Sequence, residues 1–214
     1  MKMKKIALAC GVVMLGASAQ SFAEVSMNIG ATSNYIWRGV TQTGDDAAIS
    51  GGLDWESAMG LYAGTWVSNV SGGYELDLYG GYAGEVGEFG YNAGLIYYAY
   101  DEDADADFAE LLFDASWNVL SGGIYYTVSA DNNDAEGDLY YYFGLDFDLP
   151  QDFAIGGVIG RYDFDAGGDY THYQVDLSKS AGDFGDVTLS LSDTDMDAGL
   201  DEDVRFFVSW SKGF

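Results

Sequence analysis

The stretch from Leu139 to Leu149 reads LYYYFGLDFDL, and its side chains alternate in character. The odd positions are all apolar or aromatic, whereas the even positions are tyrosine, glycine or aspartate. Strict alternation puts the two sets on opposite faces of a β-strand, because a helix would need apolar spacings of three and four. This segment therefore predicts a strand with one apolar face and one polar face.

The same period of two recurs along the chain after residue 23, where Pro150 is the only proline and no segment has helical spacing. We therefore predict an all-β chain of about twelve strands. Two of the segments alternate poorly, so ten or fourteen strands remain as alternatives. The predicted strands cover 25–39, 48–56, 61–70, 74–83, 89–100, 108–117, 122–130, 138–149, 153–163, 170–180, 186–193 and 203–214.

The connections between these strands are of two kinds that take turns along the chain. Short, mostly uncharged connections lie at 57–60, 118–121 and 150–152, whereas acidic and often longer ones lie at 41–47, 101–107, 131–137, 163–169 and 193–202. In an up-and-down barrel, every second connection lies at the same end. The alternation therefore favours an antiparallel up-and-down β-barrel.

Charge and composition exclude several classes of protein. The chain has 35 acidic residues against 8 basic ones and a net charge of −27, so a nucleic-acid partner is not expected. Its content of 48% hydrophobic residues argues against disorder, and its single cysteine argues against a disulfide scaffold.

Residues 1–23 have the features of a cleaved secretory signal peptide. Lysines 2, 4 and 5 precede an apolar stretch from Ile6 to Ala17, and small residues flank the end of the segment at Ala23. Removal of this segment takes three lysines and no acid, so the net charge becomes −30. Residues 24–214 are then expected to form one exported domain.

A soluble sandwich or lipocalin-like barrel would also alternate, but it carries both signs of charge on its outer face. Here the chain after residue 23 holds only five cationic residues, and its polar face is rich in glycine, asparagine, serine and tyrosine. That distribution favours a transmembrane barrel, which is apolar toward lipid and polar toward its lumen. Four tryptophans are expected near strand ends on the outward face: Trp37, Trp55, Trp117 and Trp210.

The last predicted strand supports the same interpretation. Apolar residues share one of its faces, among them Trp210 and the terminal Phe214. This end resembles the C-terminal recognition strand that the barrel-assembly machinery of Gram-negative bacteria reads, although Lys212 departs from the pattern. An ordinary final strand that happens to end in phenylalanine is the alternative.

Three early segments also resemble a known family. They are Ser33–Thr43 (SNYIWRGVTQT), Gly51–Trp55 (GGLDW) and Gly60–Val70 (GLYAGTWVSNV), and Glu75–Tyr82 (ELDLYGGY) continues the likeness. Together they are similar to the TorF family of porins. The resemblance covers about the first third of the chain after residue 23, and it implies an outer-membrane location and a pore but no substrate.

In the twelve-strand arrangement, the polar face carries many acidic residues and three arginines. A lumen with more acids than bases concentrates cations, so we expect a narrow, cation-preferring diffusion channel. The alternative is a plugged structural or binding barrel in which the same charges form salt bridges. The candidate pore-lining residues are Arg38, Glu75, Asp77, Glu110, Asp114, Asp146, Asp148, Arg161, Asp176 and Arg205, together with Asp54 and Glu56.

Closure of strand 1 on strand 12 is expected to bring Arg38 and Arg205 together near the outer mouth, opposite Glu75 and Asp77. No enzyme is predicted, because His172 is the only histidine and no Gly-x-Ser-x-Gly motif occurs. No cofactor is expected either. The expected partners are outer-membrane lipid and lipopolysaccharide, the assembly machinery, and a small solute or cation.

Two acidic loops hold carboxylates at alternate positions, which can supply several oxygen ligands for Ca²⁺. The second loop lacks the glycine and the closing glutamate of an EF-hand. An acidic rim, bridged by divalent ions to lipopolysaccharide phosphates, is the simpler interpretation. The candidate ligands are Asp101, Asp103, Asp105, Asp193, Asp195 and Asp197.

Overall fold

The computed structural model describes residues 23–101, 106–196 and 204–214, and in these ranges the chain is built almost wholly of strands. Two short 3-10 helices, at Asn133–Ala135 and Gly182–Phe184, lie in connections. The strands are β1 (Glu24–Thr32), β2 (Ile36–Trp37), β3 (Val40–Thr41), β4 (Ala48–Glu56), β5 (Leu61–Val70), β6 (Gly73–Val86), β7 (Phe89–Tyr100), β8 (Phe108–Trp117), β9 (Leu120–Ala130), β10 (Leu139–Leu149), β11 (Phe153–Asp163), β12 (Asp169–Ser180), β13 (Asp186–Thr194) and β14 (Arg205–Gly213).

Twelve of these strands form a closed antiparallel barrel, and β2 and β3 form a separate hairpin. β1 pairs with β14 on one side and with β4 on the other, so the sheet has no free edge. Each other barrel strand pairs with its neighbours in sequence. The predicted fold and the strand number of twelve are thus confirmed.

The two kinds of connection lie at opposite ends of the barrel. The start of β1 and the end of β14 lie at the end with the short turns, such as the turn after β10, and we call it the turn end. The acidic connections lie at the other end, which we call the loop end. Among the described residues, no helix is long and apolar enough to cross a membrane.

The wall has its apolar side chains outside and its polar ones inside. Exposed apolar residues stand at alternate positions along the barrel strands, while the intervening side chains are buried or half-buried in the lumen. This arrangement is the inverse of a soluble barrel and suits contact with lipid hydrocarbon. Examples from the outer face are Ile29, Leu53, Leu78, Leu95, Phe113, Ile124, Phe143, Ile159, Val175 and Leu189.

The core of the molecule therefore lies inside the barrel. A cluster of buried side chains fills it near the loop end, with Trp37, Val40 and Phe108 packed against the cluster. Its members are Ile96, Tyr98, Leu112, Tyr125, Tyr140, Tyr162 and Tyr170.

One predicted strand was wrong in extent. The expected strand 25–39 ends at Thr32, and the chain then leaves the wall and folds back into the lumen as the hairpin of β2 and β3. The segment after Thr32 keeps strand-forming residues such as Ile36, Trp37 and Val40 because it also forms strands, although those strands pair only with each other. Trp37 was expected on the outer face but lies in the lumen.

The outer face generates a prediction about stability. Ile159→Arg, near the middle of β11, should lower the free energy of unfolding by about 2–4 kcal/mol, because it places a charge at the bilayer midplane. Leu149→Arg, at the turn end of β10, should cost only about 0–1 kcal/mol. Urea unfolding in lipid vesicles would measure both changes, and equal costs would contradict the assignment of the outer face to lipid.

Candidate functional site

The hairpin inside the lumen ends in a two-residue turn, Arg38-Gly39. Both residues have positive φ, 50° at Arg38 and 87° at Gly39, which is the backbone that tight hairpins require. A side chain on Gly39 would overlap His172 on the barrel wall, so glycine is needed both for the turn and for the close approach. The turn thereby holds Arg38 at the tip of the hairpin.

Arg38 forms a bidentate ion pair with Glu110 of β8. Its Nη1 donates to Oε1 over 2.7 Å, and its Nη2 donates to Oε2 over 2.6 Å. The two side chains are only 3% and 1% exposed. Tyr98 also donates to Oε2 of Glu110, over 3.2 Å. Parallel hydrogen bonds of this kind are strong and directional because both partners are charged.

Four aromatic rings surround the guanidinium of Arg38. Its central carbon lies 4.1 Å from the ring centroid of Tyr140, 4.2 Å from that of Trp37, 4.9 Å from Tyr125 and 5.5 Å from Tyr162. These distances are within the range of cation–π attraction. We call Glu110, Tyr98, Tyr125, Tyr140 and Tyr162 the wall cage, because all five belong to adjacent barrel strands, β7 to β11.

The base of the hairpin is fastened at the loop end. Asn34 donates through Nδ2 to Oδ1 of Asp45 over 2.8 Å, and it accepts from the Thr41 hydroxyl over 2.7 Å. Arg205, at the start of β14, donates through Nε to the same Asp45 oxygen over 2.6 Å. Tyr35 donates to Glu75 over 2.8 Å. The connection between β1 and β4 is thus tied to the wall on several sides.

Inward side chains of most barrel strands are closely packed in the lumen. Every barrel strand from β4 to β14 contributes at least one inward side chain that is 6% exposed or less. A passage wide enough for water would expose the side chains beside it. Because these side chains are buried, no such passage touches them in this conformation. One inward residue from each of these strands, in chain order, gives Ala48, Ser68, Glu75, Ile96, Glu110, Thr127, Tyr140, Tyr162, His172, Ser192 and Phe207.

The structure places most of the predicted pore-lining acids inside the lumen. Asp114 accepts from Tyr142 and Asn92, and Asp176 accepts from Gln174 and Ser190. Neutral side chains thus solvate these buried carboxylates. Towards the turn end Asp146 and Glu56 are half-buried and Asp148 is exposed; Asp54, also half-buried, accepts from the Tyr79 hydroxyl.

Glu75 and Asp77 lie on β6, and both are buried. Glu75 receives the hydrogen bond from Tyr35, whereas Oδ1 of Asp77 has no hydrogen-bond partner although the residue is only 3% exposed. Whether these acids line a conducting path stays a prediction.

Arg38 and Arg205 each form an ion pair, the first with Glu110 and the second with Asp45, as in the alternative of salt bridges. One expectation about the arginines was wrong, because Arg161 does not face the lumen. It shares the outward face of β11 with Ile155 and Ile159, where it forms ion pairs with Asp163 at 2.9 Å and Asp169 at 2.8 Å.

Sequence patterns did not single out the tyrosines of the wall cage, because alternation places a tyrosine on the polar face without showing which residues it meets. A signal for the hairpin existed in Arg38-Gly39, since a residue followed by glycine between two β-branched or aromatic pairs is typical of a tight turn. His172, predicted to face the lumen without a catalytic role, shares a hydrogen bond of 3.0 Å with the Tyr140 hydroxyl and is 1% exposed.

The acidic loops hold part of their carboxylates against strand ends. Asp101 accepts from the Tyr74 amide, Asp193 from the Thr194 amide and Asp195 from the Thr171 amide. Asp103, Asp105 and Asp197 lie outside the described residues. In the described part of the chain, no group of three potential ligands is arranged to hold a metal ion. A loop-bound Ca²⁺ stays an untested prediction.

The closed, inside-out barrel with a connection folded into its lumen defines a porin-like β-barrel. Two solved porins share this fold. The KdgM porin aligns at a TM-score of 0.64 with 12% identity, over 88% of this chain and 99% of that one. The NanC porin aligns at 0.57 with 12% identity, over 88% of this chain and 98% of that one.

A second KdgM structure, in complex with disordered oligogalacturonate, aligns at a TM-score of 0.61 with 10% identity, over 89% of this chain and 98% of that one. At these identities, the likeness establishes the fold alone. The chain belongs to the Gcw_chp family, described as bacterial protein of unknown function, whose model matches residues 16–210. No curated protein matches the sequence.

The buried ion pair generates a prediction about stability. Arg38→Met leaves Glu110 charged and unpaired inside the lumen, so the free energy of unfolding should fall by about 3–5 kcal/mol. The double variant Arg38→Met/Glu110→Gln also removes that charge and should lose less. Arg161→Met, whose ion pairs are more than one-third exposed, should cost far less than Arg38→Met. Urea unfolding of the four proteins in vesicles would test this order.

The mouth of the barrel generates a prediction about pH. The hydrogen bond from Arg205, aided by that from Asn34, lowers the pKa of the Asp45 carboxyl. A carboxyl with a lowered pKa stabilises the fold above its ordinary pKa, and the contribution is lost as the pH falls through the lowered value.

Wild-type protein should therefore be more stable than Asp45→Asn by a constant amount from pH 8 to about pH 5, and the difference should shrink below about pH 4. Asp46→Asn, at the exposed neighbouring position, is the matched control. Unfolding measured across the pH range would show the trend, and a difference that grows on acidification would contradict it.

Proposed function

We propose that this protein is an outer-membrane porin, a narrow passive channel that prefers cations. The observation that carries the proposal is that a connecting hairpin, rather than the wall alone, fills part of the lumen. Small barrels that serve only as structure are filled by their own inward side chains. Here the segment at the centre of the lumen pairs with no barrel strand, so its withdrawal would leave the wall intact.

The charges of the lumen support the cation preference. Glu75, Asp77, Asp114 and Asp176 are buried on its wall, and Arg38 is already matched by Glu110. A low-dielectric wall lined by one sign of charge attracts counter-ions and repels ions of its own sign. Small cations should therefore pass more readily than anions once the hairpin moves.

Location and assembly are part of the same proposal. The apolar outer face, the shared fold of porins and the resemblance of residues 33–82 to the TorF family support an outer-membrane site. Export would depend on residues 1–23, and insertion on the last strand with Trp210 and Phe214. The acidic loop end would face lipopolysaccharide, whose phosphates divalent ions could bridge to its carboxylates.

A permanently closed structural barrel is the second candidate. The burial of the inward residues around Arg38 favours it, because no water-wide passage touches them in this conformation.

Single-channel conductance separates the two candidates. The protein would be expressed from the full chain, extracted from membranes in detergent and placed in a planar bilayer under a salt gradient. We expect discrete openings with a reversal potential that favours cations. A correctly folded barrel without openings would support the closed structural barrel, and anion-selective openings would contradict the role of the acidic wall.

The selectivity can be tested at two buried acids. Glu75→Gln/Asp77→Asn removes two carboxyl groups from the lumen, so the reversal potential should shift toward zero. Glu88→Gln/Asp183→Asn removes two carboxyl groups at exposed positions of the turn end and should shift it much less. Equal shifts in the two proteins would mean that net charge, and not the lumen wall, sets the preference.

A further inference from the structure

Arg38 occupies its site as a ligand would. The guanidinium is enclosed by groups from both the wall and the hairpin, yet it belongs to a connection and not to a barrel strand. We propose that the wall cage is a binding site for small guanidinium compounds, and that Arg38 is its tethered occupant. The proposal rests on the proposed function, because the compound would enter through the lumen.

The wall cage does not need the hairpin for its shape. Adjacent strands set the positions of its members through the barrel register, in which Tyr125 lies opposite Tyr140, and Tyr140 opposite Tyr162. Neighbouring contacts also hold the rings, because Tyr140 packs edge-on against Tyr125 at 5.9 Å and shares a hydrogen bond with His172. Three tyrosine faces and one carboxylate therefore remain when Arg38 and Trp37 leave.

The chemistry of the wall cage selects a planar cation. The two oxygens of Glu110 accept two parallel N–H groups from Arg38, a match that a guanidinium makes and a single ammonium does not. The ring faces favour a flat, weakly hydrated cation. Anions would meet the charge of Glu110, and neutral solutes would leave that carboxylate unpaired and buried.

The tip of the hairpin is held mainly by contacts with the wall, and a free guanidinium ligand would use the same wall groups as Arg38. β2 and β3 pair only with each other. Around the tip, Trp37 contacts Tyr98, Phe108 and Tyr162 through rings whose centroids are 6.0–6.2 Å apart, and Arg38 makes the ion pair. A guanidinium compound would thus compete with Arg38 for Glu110, and its binding would favour withdrawal of the hairpin.

The test is calorimetric binding of agmatine, a four-carbon guanidinium amine, to detergent-solubilised protein. Arg38→Ala removes the tethered occupant and should bind agmatine at least about tenfold more tightly than wild type, because wild type must first release Arg38. Arg38→Ala/Glu110→Gln should lose this gain. Arg161→Ala, which removes an arginine from the outer face, should behave as wild type. The diamine 1,5-diaminopentane should bind Arg38→Ala more weakly than agmatine does.

Several outcomes would overturn the proposal. The first is equal affinity of Arg38→Ala and Arg161→Ala for agmatine. The second is an Arg38→Ala/Glu110→Gln variant that binds agmatine as tightly as Arg38→Ala does. The third is equal affinity of Arg38→Ala for agmatine and for the diamine. Heat-modifiable migration on gels reports whether each variant is folded. If Arg38→Ala does not fold, the melting temperature of wild type decides. Millimolar agmatine should then shift it, and more than the diamine does, whereas no difference between the two compounds refutes the site.

Binding and conduction fail separately. Agmatine binding in micelles with no openings in bilayers would support the guanidinium site and contradict the porin function. Cation-selective openings without agmatine binding would support the porin function and contradict the guanidinium site.

Discussion

The ion pair between Arg38 and Glu110 determines what the lumen of this barrel contains. Taking two charges out of water is costly, and the cost is offset only when geometry and further hydrogen bonds are good. Both conditions hold here, because the pair is bidentate at 2.6–2.7 Å, Tyr98 donates to the same carboxylate, and rings surround the guanidinium. The hairpin stays in the lumen because Arg38 would otherwise leave Glu110 buried and unpaired.

The rest of the lumen follows from the same need to satisfy buried acids. With few basic residues in the chain, the wall solvates its carboxylates mainly with hydroxyl and amide donors. Three tyrosine hydroxyls donate hydrogen bonds to these carboxylates: Tyr142 to Asp114, Tyr79 to Asp54, and Tyr35 of the hairpin connection to Glu75. Tyrosine suits this task because its ring fills the lumen while its hydroxyl reaches a partner. The abundance of tyrosine on the polar faces therefore has a physical cause.

Most of the wall could be predicted from the sequence, because period-two alternation depends only on which face meets lipid. The segments 61–70, 89–100 and 108–117 coincide with β5, β7 and β8. The hairpin was not separated from β1, since Ile36, Trp37 and Val40 are strand-forming residues like those of β1, and only the turn signal at Arg38-Gly39 marks the break. Arg161 was assigned to the wrong face on its charge alone, because alternation places it with Ile155 and Ile159. An arginine at a strand end reaches water and nearby carboxylates from the outer side as well.

The site depended on long-range closure, which local patterns do not encode. Arg38 and Glu110 are 72 positions apart, and their meeting requires both the folding of a connection into the barrel and the register of β8. Only barrel geometry brings the tyrosines of β7, β9, β10 and β11 around one point, since each of them alone is an ordinary inward residue of its strand.

An acidic lumen also constrains how such a barrel could open. The field that would draw a cation into the lumen is the field that holds Arg38 there. Removal of wall carboxylates would loosen the hairpin, but it would also weaken the attraction of the solute. A cation that binds Glu110 in place of Arg38 would release the hairpin while the wall keeps its carboxylates. In the proposed exchange, one guanidinium would replace another at the same carboxylate, so the buried charge would never be left alone. A plug whose tip carries the chemistry of the permeant solute is therefore consistent with an acidic wall that has almost no basic residues of its own.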